Sequence, residues 1–426
     1  LRRGPPGAAE ARRLRVLVAA WESPSRHSGG GTYLLELLRR LGARHDVTLV
    51  HTRGADEAGH VDELGPYLAR IVTLERSHGE SRYRGDRSFP ERLYDVYMPE
   101  LRRALELELL RERYDLVDYQ YTAMAPYVVS GLPSVLTVHE AGYTAILNTR
   151  FARARDAVLA VPDLDELLRS FHFLTDALPA LCPALVTLTD EDAAALAPYT
   201  DVPLYTSPVG VARGPAPKAR HRDRAAPRLV YVGNFQHPPN IHAVRFLAAE
   251  VMPLLRRRYP DAELRIHGTR IPAEVSALHG QGGIRVLGFA PELGRELRRA
   301  TALVAPLFTG TGMRVKVAEA LGAGALVIGT DLALRGIEAV PGRHFLRAHT
   351  PAEFVEQIAR AFDDPSLALE IAERGQRLAA ERHGWDAAVR ARESIWWAVV
   401  ARTATESSGD AADEAEAADA ADEADE

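Results

Sequence analysis

The sequence predicts an α/β protein: two Rossmann-like domains facing each other across a cleft, followed by a disordered acidic C-terminal tail. Three observations lead there. The chain has 426 residues, 46% hydrophobic and 26% charged, enough for two ordinary globular domains. Short buried-strand patterns alternate with amphipathic helices, and the alternation starts twice. From Glu406 to Glu426 there are ten acidic residues and no basic or aromatic ones. That end cannot bury a core. It also sets the sign of the chain, turning the net −6 into about +4 for the rest.

Taken in order, residues 1–13 form a short basic arm without an apolar signal core. LRVLVAA, from Leu14, is a first buried strand. Gly29, Gly30 and Gly31 follow in a polar turn, then a helix with Leu34, Leu35, Leu38 and Leu41 inward. HDVTLVHT is the next strand. The glycines lack dinucleotide-fingerprint spacing, and no acidic residue ends that second strand. They either admit a ligand to the backbone or simply make the turn. ARIVTLE is a third strand, and residues 82–113 are charged and mostly helical. YDLVDYQ and SVLTVHE flank an uncharged stretch; Pro126, Gly131 and Pro133 break it, so it reads as a buried helix and strand and not as a membrane span. His139 stands at the tip of SVLTVHE, where open α/β sheets bind ligands, although a lone histidine is often structural.

Residues 145–183 read as helical, and PALVTLTDEDAAALAPY as strand, cap (Thr189 or Asp190) and helix. PLYTSPVGV closes a first domain, 14–210. A Pro-, Ala- and Arg-rich linker, 211–227, has no period. The second domain, 228–385, opens with RLVYVGNFQHPPN, a strand running into a turn, and a long amphipathic helix. AELRIHG, GIRVLGF, ATALVAP and ALVIGT are its further strands. A terminal helix, 386–402, carries Trp396 and Trp397, and the tail is 403–426.

The most informative stretch is PLFTGTGMRVKVAEALGAGALVIG, Pro306 to Gly329. It reads as a strand end, a glycine-broken loop (Thr309 to Gly312), a helix and another strand. Such a unit aims backbone amides and a helix N-terminus at the sheet edge, a ready anion site. Arg314 and Lys316 bring cations to the same turn, where they oppose the helix dipole; a bound diphosphate would relieve that conflict. The plainer reading is solvated charges, with Glu319 pairing Lys316 at i, i+3.

These residues resemble a known family. YVGNFQHPPNIHAVRFLAAEVMPLL, AELRIHG, IRVLGF and PLFTGTGMRVKVAEALGAGALVIGTDLALRGI are similar, in that order, to the group 1 (family 4) retaining glycosyltransferases of GT-B fold. The likeness covers most of the second half; the first half fits more loosely, through the glycine loop, VLTVHE and the run into SPVGV.

The resemblance implies a nucleotide-diphosphate sugar held mainly by the C-terminal domain, an acceptor on the N-terminal domain, and hexosyl transfer with retention. Glu319 matches the second glutamate of the family's Glu-x7-Glu motif, the one that contacts ribose; Thr311 stands where the first would be. TGTGMRVK resembles a branch with a glycine-rich loop and Arg-x-Lys there. Relatives also carry an Arg and a Lys after the first strand of this domain, where this chain has Asn234, His237 and Asn240. Arg314 and Lys316 are therefore expected to replace that pair and stabilise the diphosphate leaving group, each worth roughly 3–4 kcal/mol in the transition state. His139 matches the family's strand-tip histidine near the reacting centre, Gly29 to Gly31 the loop facing the donor phosphates, and Gly288 and Phe289 the neighbourhood of the base. Gly233, Asn234, Asn240, Gly310, Thr311 and Gly312 complete the expected donor contacts.

No DxD-like motif sits at a helpful strand end, so no metal and no cofactor is expected; the nucleotide sugar is a substrate. Asp115 and Asp118 look structural. The single cysteine, Cys182, fits a reducing compartment and precludes a disulfide within the chain. A cytoplasmic protein is expected, with the inner membrane face open to weak peripheral contact through arginine-rich helices, which solvated faces explain equally well. The acceptor would be a surface glycan, a lipid-linked or a small molecule; no nucleic acid is expected. A catalytically silent GT-B subunit that binds nucleotide or a partner is the main alternative. A dehydrogenase lacks its fingerprint here, and an epimerase would use the donor without an acceptor.

Overall fold

The computed structural model describes residues 12–54, 59–76, 97–139, 168–218, 226–309 and 313–422, with side chains to residue 405. Two separate parallel sheets organise it. The first has seven strands in the order β3-β2-β1-β4-β5-β6-β7. These are β1 (Arg15–Ala20), β2 (Asp46–Arg53), β3 (Arg70–Glu75), β4 (Leu116–Gln120), β5 (Ser134–Val138), β6 (Leu185–Thr187) and β7 (Leu204–Thr206). The second has six, in the order β10-β9-β8-β11-β12-β13. They are β8 (Arg228–Asn234), β9 (Glu263–Thr269), β10 (Ile284–Gly288), β11 (Ala302–Ala305), β12 (Val327–Gly329) and β13 (Leu346–Arg347). Every pairing is parallel, so helices cover both faces and the central strands are buried, mostly apolar runs, with Asp118 and Gln120 of β4 as buried polar exceptions. The two-domain α/β reading is thus borne out; only the two-residue β13 gave no pattern to read.

Helices supply the layers. Among the helices are α1 (Gly29–Gly42), α2 (Pro99–Arg111), α3 (Pro238–Phe246), α4 (Val315–Gly322), α5 (Pro365–His383) and α6 (Trp385–Asp422). The uncharged stretch before β5 holds a 3-10 helix, Thr122–Tyr127. Among the described residues no helix is long and apolar enough to cross a membrane.

One expected boundary moves. Gly29, Gly30 and Gly31 do not form a turn ahead of α1; they are its first turn. Ser28 makes this possible: its Oγ accepts from the Gly31 amide at 2.9 Å and caps the helix one residue before the glycines.

The chain crosses between domains twice, and the crossings pair. Val211 N donates to His383 O at 2.6 Å, and Val211 bridges Gly384. Helix α6 then returns to the N-terminal domain, where Trp396 is fully buried and its Nε1 donates to Asp118 Oδ2 at 2.8 Å. The same helix runs past Thr403, where the sequence reading ends regular structure. Its alanines and glutamates are good helix formers, and extending a packed helix needs no new nucleus.

Candidate active site

Parallel sheets present their strand C-termini at one edge, and here the two edges confront each other. Contacts among the described residues join them. A Cβ on Gly29 would stand 3.4 Å from Val315 Cβ, so the start of α1 lies directly against the start of α4. The His27 ring packs against Phe289, tilted by 37° with ring centres 4.4 Å apart, and Thr269 Oγ1 donates to His27 O at 3.3 Å.

On the C-terminal side the cations sit at the mouth of α4. Arg314 is its N-cap residue with no side-chain cap, no acid lies in its first turn, and Lys316 follows within that turn. Lys316 does not pair with Glu319. Its Nζ donates to Asn240 Oδ1 at 2.6 Å and to the Tyr231 hydroxyl at 3.0 Å, and lies 4.6 Å from the Tyr231 ring centroid. Tyr231 in turn donates to Asn240 Oδ1 at 2.8 Å, and Asn240 Nδ2 donates to Asn234 O at 2.7 Å. A Cβ on Gly233 would come within 2.8 Å of Asn240 Cγ; glycine there lets the amide pack over the strand. Asn234, Asn240 and Gly233, expected as ligand contacts, therefore form the cradle that holds Lys316.

The electrostatics are unusual for a surface turn. Burial, then the charge of Arg314, lower Lys316 to about 7. Burial raises Glu319 to about 7, and among the described residues its carboxylate makes no ion pair. Burial also pushes the Tyr231 hydroxyl up, so it stays a donor. An under-compensated cation beside a helix N-terminus suits an anion, and a half-buried carboxylate one turn on suits a hydroxyl.

On the N-terminal side His139 follows β5. Tyr121 stacks on it at 3.9 Å and 15°, the Tyr33 edge faces it at 5.8 Å, and its Nε2 lies 3.3 Å from Gln120 Oε1. Burial, then the charge of Arg392, lower it to about 3, so it is a neutral imidazole across ordinary pH. Tyr121 holds a left-handed φ of 78°, a strained backbone for an aromatic residue. Its hydroxyl donates to Glu22 Oε2 at 3.2 Å beside Gly30.

The structure thus brings Arg314, Lys316 and Glu319 to one side of the cleft and Gly29, Gly30 and His139 to the other. Gly288 has φ of 72° with open space around it, next to Phe289, which is 40% exposed. Gly310, Thr311 and Gly312 lie outside the described residues. Among the described residues no cluster of three or more His, Cys, Asp or Glu side chains could hold a metal. Tyr231, Tyr121, Tyr33 and Arg392 were missed by sequence reading. Their roles depend on neighbours 85 residues away in the Tyr231–Lys316 pair and 359 in the Tyr33–Arg392 pair, which no local pattern encodes.

Two parallel-sheet domains meeting at their strand tips, with a cationic helix mouth opposite a glycine-started helix, define a GT-B glycosyltransferase architecture. The chain belongs to the group 1 (family 4) glycosyltransferases: the model "Glycosyl transferases group 1" matches residues 226–364 and "Glycosyltransferase Family 4" matches residues 27–177, together most of the chain. Solved structures share the fold. Sucrose-phosphate synthase from Thermosynechococcus elongatus superposes with a TM-score of 0.70 at 15% identity, covering 92% of this chain and 100% of that one. HepE of Anabaena, solved with UDP and glucose, gives 0.63 at 11% identity over 91% and 100%. A Rickettsia africae glycosyltransferase gives 0.62 at 12% identity over 92% and 99%. No curated protein sequence matches the chain.

Proposed function

We propose that the protein transfers a hexosyl group from a nucleotide-diphosphate sugar to an acceptor, with retention at the anomeric carbon and without a metal. The observation that carries this reading is the pair Arg314 and Lys316 at the uncapped start of α4, which lies against Gly29 of the facing domain. As the glycosidic bond breaks, charge builds on the diphosphate. Fixed cations and first-turn amides oppose that charge without having to reorganise, the role a metal plays elsewhere. Glu319 would hold the ribose, and Gly288 and Phe289 the base. The UDP bound in HepE supports a nucleotide-sugar donor. His139, neutral and held between two tyrosines, would position the sugar rather than carry a proton.

The acceptor, a surface glycan, a lipid-linked or a small molecule, would enter over the N-terminal domain. A cytoplasmic setting with weak contact at the inner membrane face fits the free, buried Cys182. A second reading has one specific support: Thr311 replaces the family's first motif glutamate, as a silent nucleotide-binding subunit would allow.

A thermal-shift panel of UDP- and GDP-sugars, followed by hydrolysis and transfer assays in chelator, tests both. A ligand at a hundred times its Kd stabilises by roughly 2.7 kcal/mol. Binding with turnover in chelator supports the transferase; binding with no turnover of any donor favours the silent subunit.

A further inference from the structure

The returning helix α6 buries a full positive charge under the cleft. Arg392 is 0% exposed. Its Nη2 donates to the Tyr33 hydroxyl at 3.0 Å; its Nη1 donates to Thr137 Oγ1 at 3.0 Å and lies 3.5 Å from Asp118 Oδ2. Asp118 is spent on this side and on the other: Trp396 Nε1 donates to Oδ2 at 2.8 Å, and Gln120 Nε2 donates to Oδ1 at 2.7 Å. A side-chain amide that donates from Nε2 must present Oε1 in the opposite direction. Gln120 Oε1 stands 3.3 Å from His139 Nε2. An amide oxygen only accepts, so the hydrogen at this contact belongs to the imidazole.

We propose that Arg392, through Asp118 and Gln120, is a positioning residue that fixes His139 as the neutral Nε2–H tautomer and leaves Nδ1 as a hydrogen-bond acceptor for a substrate hydroxyl. This rests on the transferase reading for the identity of the hydroxyl, but not for the tautomer.

The site is built for this and not merely for anchoring. Burying an ion pair is a poor way to add stability, since an apolar pair of similar volume does as well or better. The fixed guanidinium also sits on the face of the fold that Tyr33 and Thr137 share with His139. Among the described residues, the polar, titratable and charged groups around His139 are Tyr121 and Gln120 from the end of β4, Tyr33 from α1, Arg392 from α6 with Asp118 behind it, and Glu22 through the Tyr121 hydroxyl. Arg392 is the one that acts on the His139 charge, and it opposes protonation.

The test is long-range proton–nitrogen correlation on the full-length, nitrogen-labelled protein. The His139 signal, one of 15 histidines, is identified by its loss in His139→Gln. Wild type should show a single Nε2–H tautomer with no titration between about pH 5 and 8. The paired variant Asp118→Asn with Arg392→Met removes both charges at once, so that no lone ion stays buried. In it His139 should gain at least about tenfold in proton affinity, one pKa unit. Its kcat should fall about tenfold or more with donor KM nearly unchanged, the sign of lost orientation and not lost binding. Arg392→Lys, which keeps the charge, should lie between. Gln120→Leu leaves the ion pair alone and should release the tautomer; it covers the case in which the paired variant does not fold. A wild-type His139 that titrates near its ordinary value, or one that stays wholly Nε2–H in Gln120→Leu, overturns the assignment. The tautomer readout needs no turnover, so an inactive wild type counts against the proposed reaction and not against this one.

Discussion

The ammonium of Lys316 rests 2.6 Å from the amide oxygen of Asn240, across a domain and not along its own helix. A neutral oxygen orients a cation but does little to neutralise it. The consequence is a lysine at about 7, the value set by burial and by Arg314. In the free protein this group holds fewer protons than in the unfolded chain between about pH 7 and its ordinary value of 10.5. Its charge therefore costs stability below pH 7, and the cost fades as pH rises. A bound diphosphate reverses the preference. Nucleotide binding near pH 8 should take up a proton, and affinity should fall by up to about tenfold per pH unit above 7. Calorimetry in two buffers of different ionisation enthalpy reads the uptake directly. Equal enthalpies and a flat Kd would show that Lys316 does not meet the phosphates.

Removing the cations separates chemistry from folding. Arg314→Ala and Lys316→Met should each lower kcat about 10²–10³-fold, the usual loss for one donor to a developing oxyanion. Neither should unfold the protein. Lys316→Met leaves Tyr231 and Asn240 bonded to each other and takes a cation away from a helix N-terminus, so its melting temperature should hold or rise. Near-normal rates in both variants would remove them from the leaving-group role.

Much of this was legible in the sequence, and the reason it was is physical. Parallel strands buried on both faces leave continuous apolar runs, so LRVLVAA and ALVIGT marked β1 and β12 without ambiguity. The position of Arg314 and Lys316 at a helix start followed from glycine and helical spacing alone. What could not be read were contacts between distant segments. Asn240 looked like a ligand residue because it lies in the loop where relatives carry their Arg and Lys, but the chain folds it onto Lys316. The glycines looked like a turn because three in a row disfavour helix, and Ser28 capping outweighs that cost. No local pattern singles out Arg392; only the return of α6 to the first domain buries it.

Glu319 offers a stability test with a sign of its own. Burial raises its carboxyl to about 7 from 4.5, so the folded protein holds the extra proton in that window. The stability this provides is fully present below about pH 4.5 and is lost as pH rises through 7. Glu319→Gln is a permanent mimic of the protonated form. Relative to wild type it should gain thermal stability at about pH 8 and gain nothing at about pH 4. If the carboxylate holds ribose, the same variant should bind nucleotide more weakly while kcat at saturation changes little. Melting curves at the two pH values decide the first point, and a uniform shift at both would refute the buried-carboxyl account.

Adjacent glycines in α1 make opposite predictions, although a sequence pattern treats them alike. A Cβ on Gly29 would meet Val315 Cβ at 3.4 Å, ordinary contact, and alanine is the better helix former. Gly29→Ala should fold with equal or slightly higher stability. A Cβ on Gly30 would stand 2.6 Å from the Tyr121 hydroxyl and 3.1 Å from Glu22 Oε2, so that tyrosine must move. Tyr121 is the ring stacked on His139, and its backbone already sits in a strained region with little room to adjust. Gly30→Ala should therefore cost about 1–3 kcal/mol as an overpacked site and lower turnover well beyond Gly29→Ala. Side-by-side melting and donor-turnover measurements on the two variants check this. Equal behaviour would mean that the Tyr121 ring is free to leave His139 without consequence, and the stack would then have no part in the reaction.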